Sequence, residues 1–283
     1  MEDQNVKQDP AVDGSDTEKE NLRPVALITG ASSGIGREIA KVLAGIGYDL
    51  VLTGRSEDEL KKTVDQCRRK ARLMKLDIKA AYITADLTCE ETVKKLYKKT
   101  KDMNISFLVN NAGFGDCGDF WKTDLDKDIA MIKTNVTALH ILTKCFLKDF
   151  VGHDRGYILN VASSAGFLAG PGMATYYATK NYVLRLTQAI HQELKENKSH
   201  VHISALCPGP VETKFNDRAN VRFGYRGLNA ADVAEEAVDG TLEGKLVIVP
   251  GALMKATRIA ERFVPDPLLL KATYGFQHRK IDG

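Results

Sequence analysis

The sequence predicts an α/β fold: one domain with a doubly wound parallel sheet of about seven strands and helices on both faces. Short apolar runs of strand length recur between amphipathic stretches of helical length. A glycine-rich turn joins the first apolar run directly to the first helical stretch. The chain, 283 residues at 43% hydrophobic content, is long enough to close a substantial single core when built as α/β layers.

The pattern changes abruptly after Pro24. Val25-Ala26-Leu27-Ile28-Thr29 is an uninterrupted run of the kind expected for a strand buried on both faces. Similar runs at 49–53, 80–84, 105–110, 156–161, 201–206 and 245–249 predict the remaining strands. Between them, helices are expected at 37–44, 56–74, 90–101, 123–150, 176–195 and 231–242, supplying right-handed crossovers. Ligands of such a sheet bind at the carboxyl ends of the strands, and the motifs below fall there.

Residues 1–22 are rich in Asp, Glu, Lys, Asn and Gln and nearly devoid of large apolar side chains. They are read as a disordered polar leader, with a binding tail as the alternative; residues 23–283 form the domain. The tail at about 252–283 mixes Leu268-Leu269-Leu270 with His278-Arg279-Lys280. A packing or subunit-contact role is favoured for it over a membrane-surface role.

Lys and Arg number 40 against 37 Asp and Glu, so a net charge of +3 makes no electrostatic case for nucleic acid or an anionic membrane. Five scattered cysteines (Cys67, Cys89, Cys117, Cys145, Cys207) without a Cys-x-x-Cys pair fit reduced thiols rather than a disulfide framework. The histidines show no metal-ligand spacing, so no metal is expected. No signal-peptide pattern or run of about twenty apolar residues occurs, and a cytoplasmic protein without a transmembrane segment is expected.

The first turn reads Thr29-Gly30-Ala31-Ser32-Ser33-Gly34-Ile35-Gly36. One glycine permits the tight turn, another lets backbone approach a pyrophosphate, and a third allows helix and strand to pack closely. The helix N-terminus offers unpaired N–H groups to the anion. At the end of the next strand an NAD-selective protein would place Asp or Glu against the ribose 2′-hydroxyl, but here Leu52-Thr53-Gly54-Arg55-Ser56 carries no carboxylate. Arg55 can pair with a 2′-phosphate through a forked contact, pointing to NADP(H). The alternative is a solvated arginine beside the natural helix cap Ser56.

Further motifs follow in order: Asp86-Leu87, Asn110-Asn111-Ala112-Gly113, Asn135, Ser163, Tyr176-x-x-x-Lys180 and Pro208-Gly209-x-Val211-x-Thr213. From Val25 to about Pro250 the chain resembles the classical short-chain dehydrogenase/reductase family, whose fold is Rossmann-like. The resemblance implies hydride transfer between NADP(H) and a carbonyl or secondary alcohol. It further implies that Tyr176 is the general acid/base and that Lys180 lowers its pKa and holds the nicotinamide ribose hydroxyls. The four-residue spacing puts both side chains on one helix face. Tyr177 has Asn181 four residues on and is assigned to packing or to lining the pocket.

By the same resemblance, Ser163, thirteen positions before Tyr176, bonds the substrate oxygen, with Ser164 as its rival. Asn135 holds a water linking Lys180 to solvent, or else simply satisfies buried backbone groups. Asp86 and Leu87 would contact adenine, and Asn111, Ala112 and Gly113 would line the cleft beside the adenosine and ribose. Thr213 would meet the nicotinamide phosphate or carboxamide, with Pro208, Gly209 and Val211 beside it. Homodimers or homotetramers through 123–150 and 176–195 are expected.

A lid is expected at about 214–229, where Arg218, Arg222 and Arg226 fall at four-residue spacing. They form a solvated face or, if the lid is helical, a row able to bind an anionic substrate group. The pocket is expected to be walled by 114–120, 167–173, Tyr177 and the lid, an apolar and aromatic set suited to hydroxysteroids, 3-oxoacyl chains or xenobiotic ketones. An NADP(H)-binding sensor with little turnover is the competing reading, opposed by the retention of Ser163, Tyr176 and Lys180 together.

Overall fold

A computed structural model of the chain describes residues 23–213, 215 and 227–281. Its strands are β1 (Val25–Thr29), β2 (Asp49–Gly54), β3 (Ala80–Thr84), β4 (Ile105–Asn110), β5 (Gly156–Val161), β6 (Val201–Leu206) and β7 (Val247–Ile248). They form one parallel sheet in the order β3-β2-β1-β4-β5-β6-β7. The covering helices are α1 (Gly34–Gly45), α2 (Glu57–Leu73), α3 (Glu90–Thr100), α4 (Leu125–Ile132), α5 (Leu139–His153), α6 (Ala174–Glu196) and α7 (Ala230–Leu242). Two more, α8 (Ala252–Ala260) and α9 (Asp266–Ile281), follow β7.

Both faces of the sheet are buried, and the side chains divide with the period of two that a pleated strand imposes. On one face Ala26, Ile28, Phe107 and Val109 pack with Ile39 and Leu43 of α1, Leu60 and Val64 of α2, and Val233 and Val238 of α7. On the other, Leu27, Leu108 and Ile158 pack with Val93 and Leu96 of α3, Phe146 and Phe150 of α5, and Leu194 of α6. Continuous apolar strands, rather than alternating ones, are the sequence signature of this two-sided burial.

The strand order reverses between β1 and β4, so their following loops diverge and leave a crevice at the carboxyl edge. Register keeps that edge level: Thr29 pairs with Thr53 and Asn110 with Asn160. Beneath it, Asn110 Nδ2 donates to Asn160 Oδ1 (2.9 Å) and Thr143 Oγ1 (3.0 Å), while Asn160 Nδ2 donates to Thr187 Oγ1 (3.0 Å). These buried bonds tie β4 and β5 to α5 and α6.

The predicted helix at 123–150 is interrupted. Between α4 and α5 lies a π-helical segment, Lys133–Ala138, which turns the buried Asn135 inward. A periodicity count registers only the average face of a helix and passes over one extra residue in a turn. The predicted strand at 245–249 is shorter, because Lys245 N–H bonds Gly240 O at the end of α7 and only Val247 and Ile248 reach the sheet. The predicted leader at 1–22 lies outside the described residues, as do Arg218, Arg222 and Arg226 with most of the predicted lid. Among the described residues no helix is long and apolar enough to cross a membrane, and no group of metal-ligating side chains is found.

Candidate active site

The turn after β1 is shaped by close approach. Gly34 has φ +57°, a left-handed conformation that side chains resist, and a Cβ there would stand 3.1 Å from the Thr213 methyl. A Cβ on Gly36 would fall 2.3 Å from Asn111 Nδ2, so only glycine lets α1 start this near the β4 loop. Ser33 precedes α1, no side chain caps that helix, and no acidic residue occupies its first turn. Its leading N–H groups therefore remain open to an anion. The cradle fits a dinucleotide pyrophosphate.

Side chains bind this turn to its neighbours. The Thr29 hydroxyl donates to Val109 O (3.2 Å) and accepts from the Asn111 and Ala112 N–H groups (3.0 Å each). Asn111 Nδ2 donates to Thr29 O and Gly30 O (3.0 Å each). Arg37 reaches back to Ser32 O, Thr63 and Glu59, and the Glu59 contact is an ion pair of 2.6 Å. From the sequence no role is assigned to the side chains of Thr29 and Arg37, whose partners at Val109, Asn111, Ala112, Glu59 and Thr63 lie far along the chain.

A cavity of about 750 Å³ joins the glycine turn to the carboxyl ends of the other strands. Gly30, Ser32, Ser33, Gly34, Ile35, Arg55, Asp86 and Leu87 line it, as do Asn111, Ala112, Gly113, Ser163, Tyr176, Lys180, Pro208, Gly209, Val211 and Thr213. Of the predicted site, Gly36 and Asn135 stand behind this lining. Phe120 was expected in the wall but is exposed beside Trp121, leaving Phe114 as the large side chain from that stretch in the wall. The tail, read as packing, instead supplies lining through Met254, Arg258, Leu269 and Thr273.

Tyr176 and Lys180 lie on the buried face of α6. The Lys180 ammonium donates to Val161 O (2.8 Å) and stands 5.8 Å from the centre of the Tyr176 ring. Ser163 precedes the 3-10 turn Ser164–Phe167, and its hydroxyl accepts from Ala165 N–H (3.1 Å) and draws the Tyr176 pKa down, while Ser164 lines the same cavity. Phe215 packs with its ring centre 5.5 Å from that of Tyr176. Asn135 Oδ1 accepts from Phe114 N–H (3.0 Å), and its Nδ2 donates to Phe114 O (2.9 Å) and Thr179 Oγ1 (3.1 Å). The Asn135 side chain thus satisfies buried backbone, and a Cβ on Gly113 would lie 2.9 Å from its Oδ1 and 3.5 Å from Lys180 Nζ.

The electrostatics correct one expectation. Burial pushes the Tyr176 phenol above its ordinary value, with the Ser163 hydrogen bond pulling the other way. Lys180 is itself pulled down to about 8 by burial. Two groups sunk in the same low-dielectric wall each resist their charged form, and here that outweighs the phenol-lowering pull expected of the lysine. At the other end of the cavity, the Thr88 N–H and hydroxyl, aided by Arg55, hold the Asp86 carboxyl below its usual range against partial burial.

The short chain dehydrogenase family model matches residues 24–222. Estradiol 17-beta-dehydrogenase 11 of Mus musculus is 30% identical over 249 residues, covering 87% of this chain and 81% of the relative. A short-chain dehydrogenase from Sphingobium yanoikuyae in complex with NADPH superposes with a TM-score of 0.76 at 30% identity, over 84% of this chain and 92% of that one. A short chain dehydrogenase/reductase from Burkholderia phymatum in complex with NAD does so with a TM-score of 0.75 at 26% identity, over 86% and 96%. The chain belongs to the short-chain dehydrogenase/reductase family of nicotinamide-dependent, hydride-transferring oxidoreductases.

Proposed function

We propose that the protein is an NADP(H)-dependent oxidoreductase acting on a carbonyl or secondary alcohol of a mainly hydrophobic substrate. The observation that carries this reading is the convergence of Ser163, Tyr176 and Lys180 on a cavity continuous with the glycine turn. The turn from Gly30 to Ile35 would hold the pyrophosphate, Asp86 and Leu87 the adenine, Asn111 to Gly113 the adenosine ribose, and Lys180 the nicotinamide ribose. Pro208, Gly209, Val211 and Thr213 would border the nicotinamide. A bound nicotinamide supplies the hydride to the carbonyl carbon, or accepts it from the carbinol carbon.

Arg55 supports the phosphorylated cofactor. It lines the cavity mouth with Ser32 and Ser56 and makes no ion pair among the described residues, whereas Arg37 is engaged by Glu59. A guanidinium there favours a 2′-phosphate.

Tyr176 gives its proton to the substrate oxygen in reduction and takes it back in oxidation, while the Ser163 hydroxyl donates to the same oxygen and stabilises negative charge gathering there. Burial raises the phenol further above its ordinary value, so at neutral pH Tyr176 carries the proton that carbonyl reduction requires, and alcohol oxidation needs that proton removed first. Phe167, Leu168, Met173 and Tyr177 supply the apolar wall for a bulky substrate.

Self-association has its own support. Leu125, Ile129 and Ile132 on α4 are exposed, and α4 packs against α6, on which Tyr182 is also exposed. An apolar face of this kind suits a second copy in a two-fold dimer.

Tyr176→Phe should lower kcat by roughly 10²–10⁴-fold for any accepted ketone in an NADPH-consumption assay, and wild-type alcohol oxidation should climb with pH. Arg55→Asp should shift the NADPH-to-NADH ratio of kcat/KM by about tenfold or more toward NADH, and an unchanged ratio would refute the role of Arg55. Lys180 provides a stability test with a definite sign. Between its folded value of about 8 and its ordinary 10.5, the unfolded chain holds more protons. Wild-type stability relative to Lys180→Met should therefore rise by about 2–3 kcal/mol between about pH 7.5 and about pH 10.5, read by urea unfolding. Ile129→Arg should reduce the mass measured by light scattering to that of a smaller assembly.

A further inference from the structure

The helix α8 is docked by a missing side chain. A Cβ on Gly209 would lie 2.8 Å from Met254 Sδ, so glycine at this position lets the helix settle against the loop after β6. Met254 and Arg258 are four residues apart and share a helix face. With Met254 seated, Arg258 lies over Phe167, its guanidinium carbon 5.1 Å from the ring centre. Phe167 ends the short 3-10 turn that Ser163 begins. Arg258 thus stands on the wall of the cavity that holds Tyr176, with Leu168, Met173 and Leu269 among the apolar side chains of that lining.

No carboxylate forms an ion pair with Arg258 among the described residues. Glu261, one turn further on, lines the same wall. Lying over Phe167, the guanidinium keeps its planar fork of N–H donors, the group that grips a carboxylate with two parallel hydrogen bonds. A half-buried cation on a mostly apolar wall is costly unless a ligand or water completes it.

Resting on the oxidoreductase reading above, we propose that Arg258 is a specificity-determining residue that binds a carboxylate borne on the substrate away from its reacting carbonyl. The substrate class is then a bulky apolar ketone or secondary alcohol with a remote carboxylate. Its apolar body lies along the cavity, its oxygen meets Ser163 and Tyr176, and its anion meets Arg258.

Dehydrocholate, a steroid with ketones on its ring system and a side-chain carboxylate, and its uncharged methyl ester provide the test. Their affinities are measured by calorimetry on the full-length protein saturated with NADP⁺, so that the contrast does not depend on turnover. Wild type should bind the acid more tightly than the ester. Arg258→Gln should collapse the acid-to-ester affinity ratio by roughly ten- to hundredfold, and Arg258→Lys, which keeps the charge but not the planar fork, should retain part of it. The proposal is overturned if the glutamine variant weakens acid and ester equally, if the ratio is unchanged, or if wild type binds neither probe. NADPH-driven reduction of the ester and of simpler ketones, with Tyr176→Phe as control, tests the oxidoreductase reading separately. If wild type reduces them while the acid-to-ester contrast is absent, only the role of Arg258 fails.

Discussion

The site depends on the seam between β1 and β4. There the sheet reverses its winding, and one threonine hydroxyl with one asparagine carboxamide closes the gap that reversal opens. Thr29 accepts from two N–H groups of the β4 loop while donating to Val109 O, and Asn111 returns hydrogen bonds to Thr29 O and Gly30 O. Backbone groups that neighbouring strands would otherwise pair are satisfied across the crevice instead. Both loops are held rigid, and the glycines of the first are pressed against the second. Loosening this seam would release the phosphate cradle and the loop carrying Gly113, which abuts Asn135 and Lys180.

The end of the cavity that holds Tyr176 and Lys180 is marked by burial that works against charge. Tyr176 and Lys180 are both almost wholly enclosed, and each is shifted toward its neutral form. Retaining a lysine there costs stability, offset in part by its bond to Val161 O. The arrangement makes sense when the ammonium is used, in the proposed mechanism to hold ribose hydroxyls, and when the phenol is wanted as an acid rather than as a standing phenolate. Asn135 and Thr179 contribute stiffness: the π-helical segment turns the amide inward, where it clamps the Phe114 backbone to α6.

On the opposite wall, the chain beyond β7 becomes part of the cavity. Met254 against Gly209 and Arg258 over Phe167 bring two helices of the tail to the same space as Ser163 and Tyr176. The proposed cofactor contacts thus lie mostly at the carboxyl edge of the sheet, and much of the remaining cavity lining comes from segments appended to it. This division lets substrate choice vary while the hydride-transfer geometry is kept.

Most of the architecture was legible in the sequence. Strands β3 to β6 carry the predicted limits, and the glycine turn, Ser163, Tyr176 and Lys180 line one cavity as the ordered motifs imply. Strand and helix are written in local periodicity, and a tight turn in its glycines, so neighbouring residues suffice to determine them. Only the tertiary structure decided the direction in which Tyr176 is shifted, the partner of Lys180, the π-helical break at Asn135, the outward turn of Phe120 and the entry of Arg258 into the cavity wall. Each of these is set by burial or by contact between residues far apart along the chain, which local spacing does not encode.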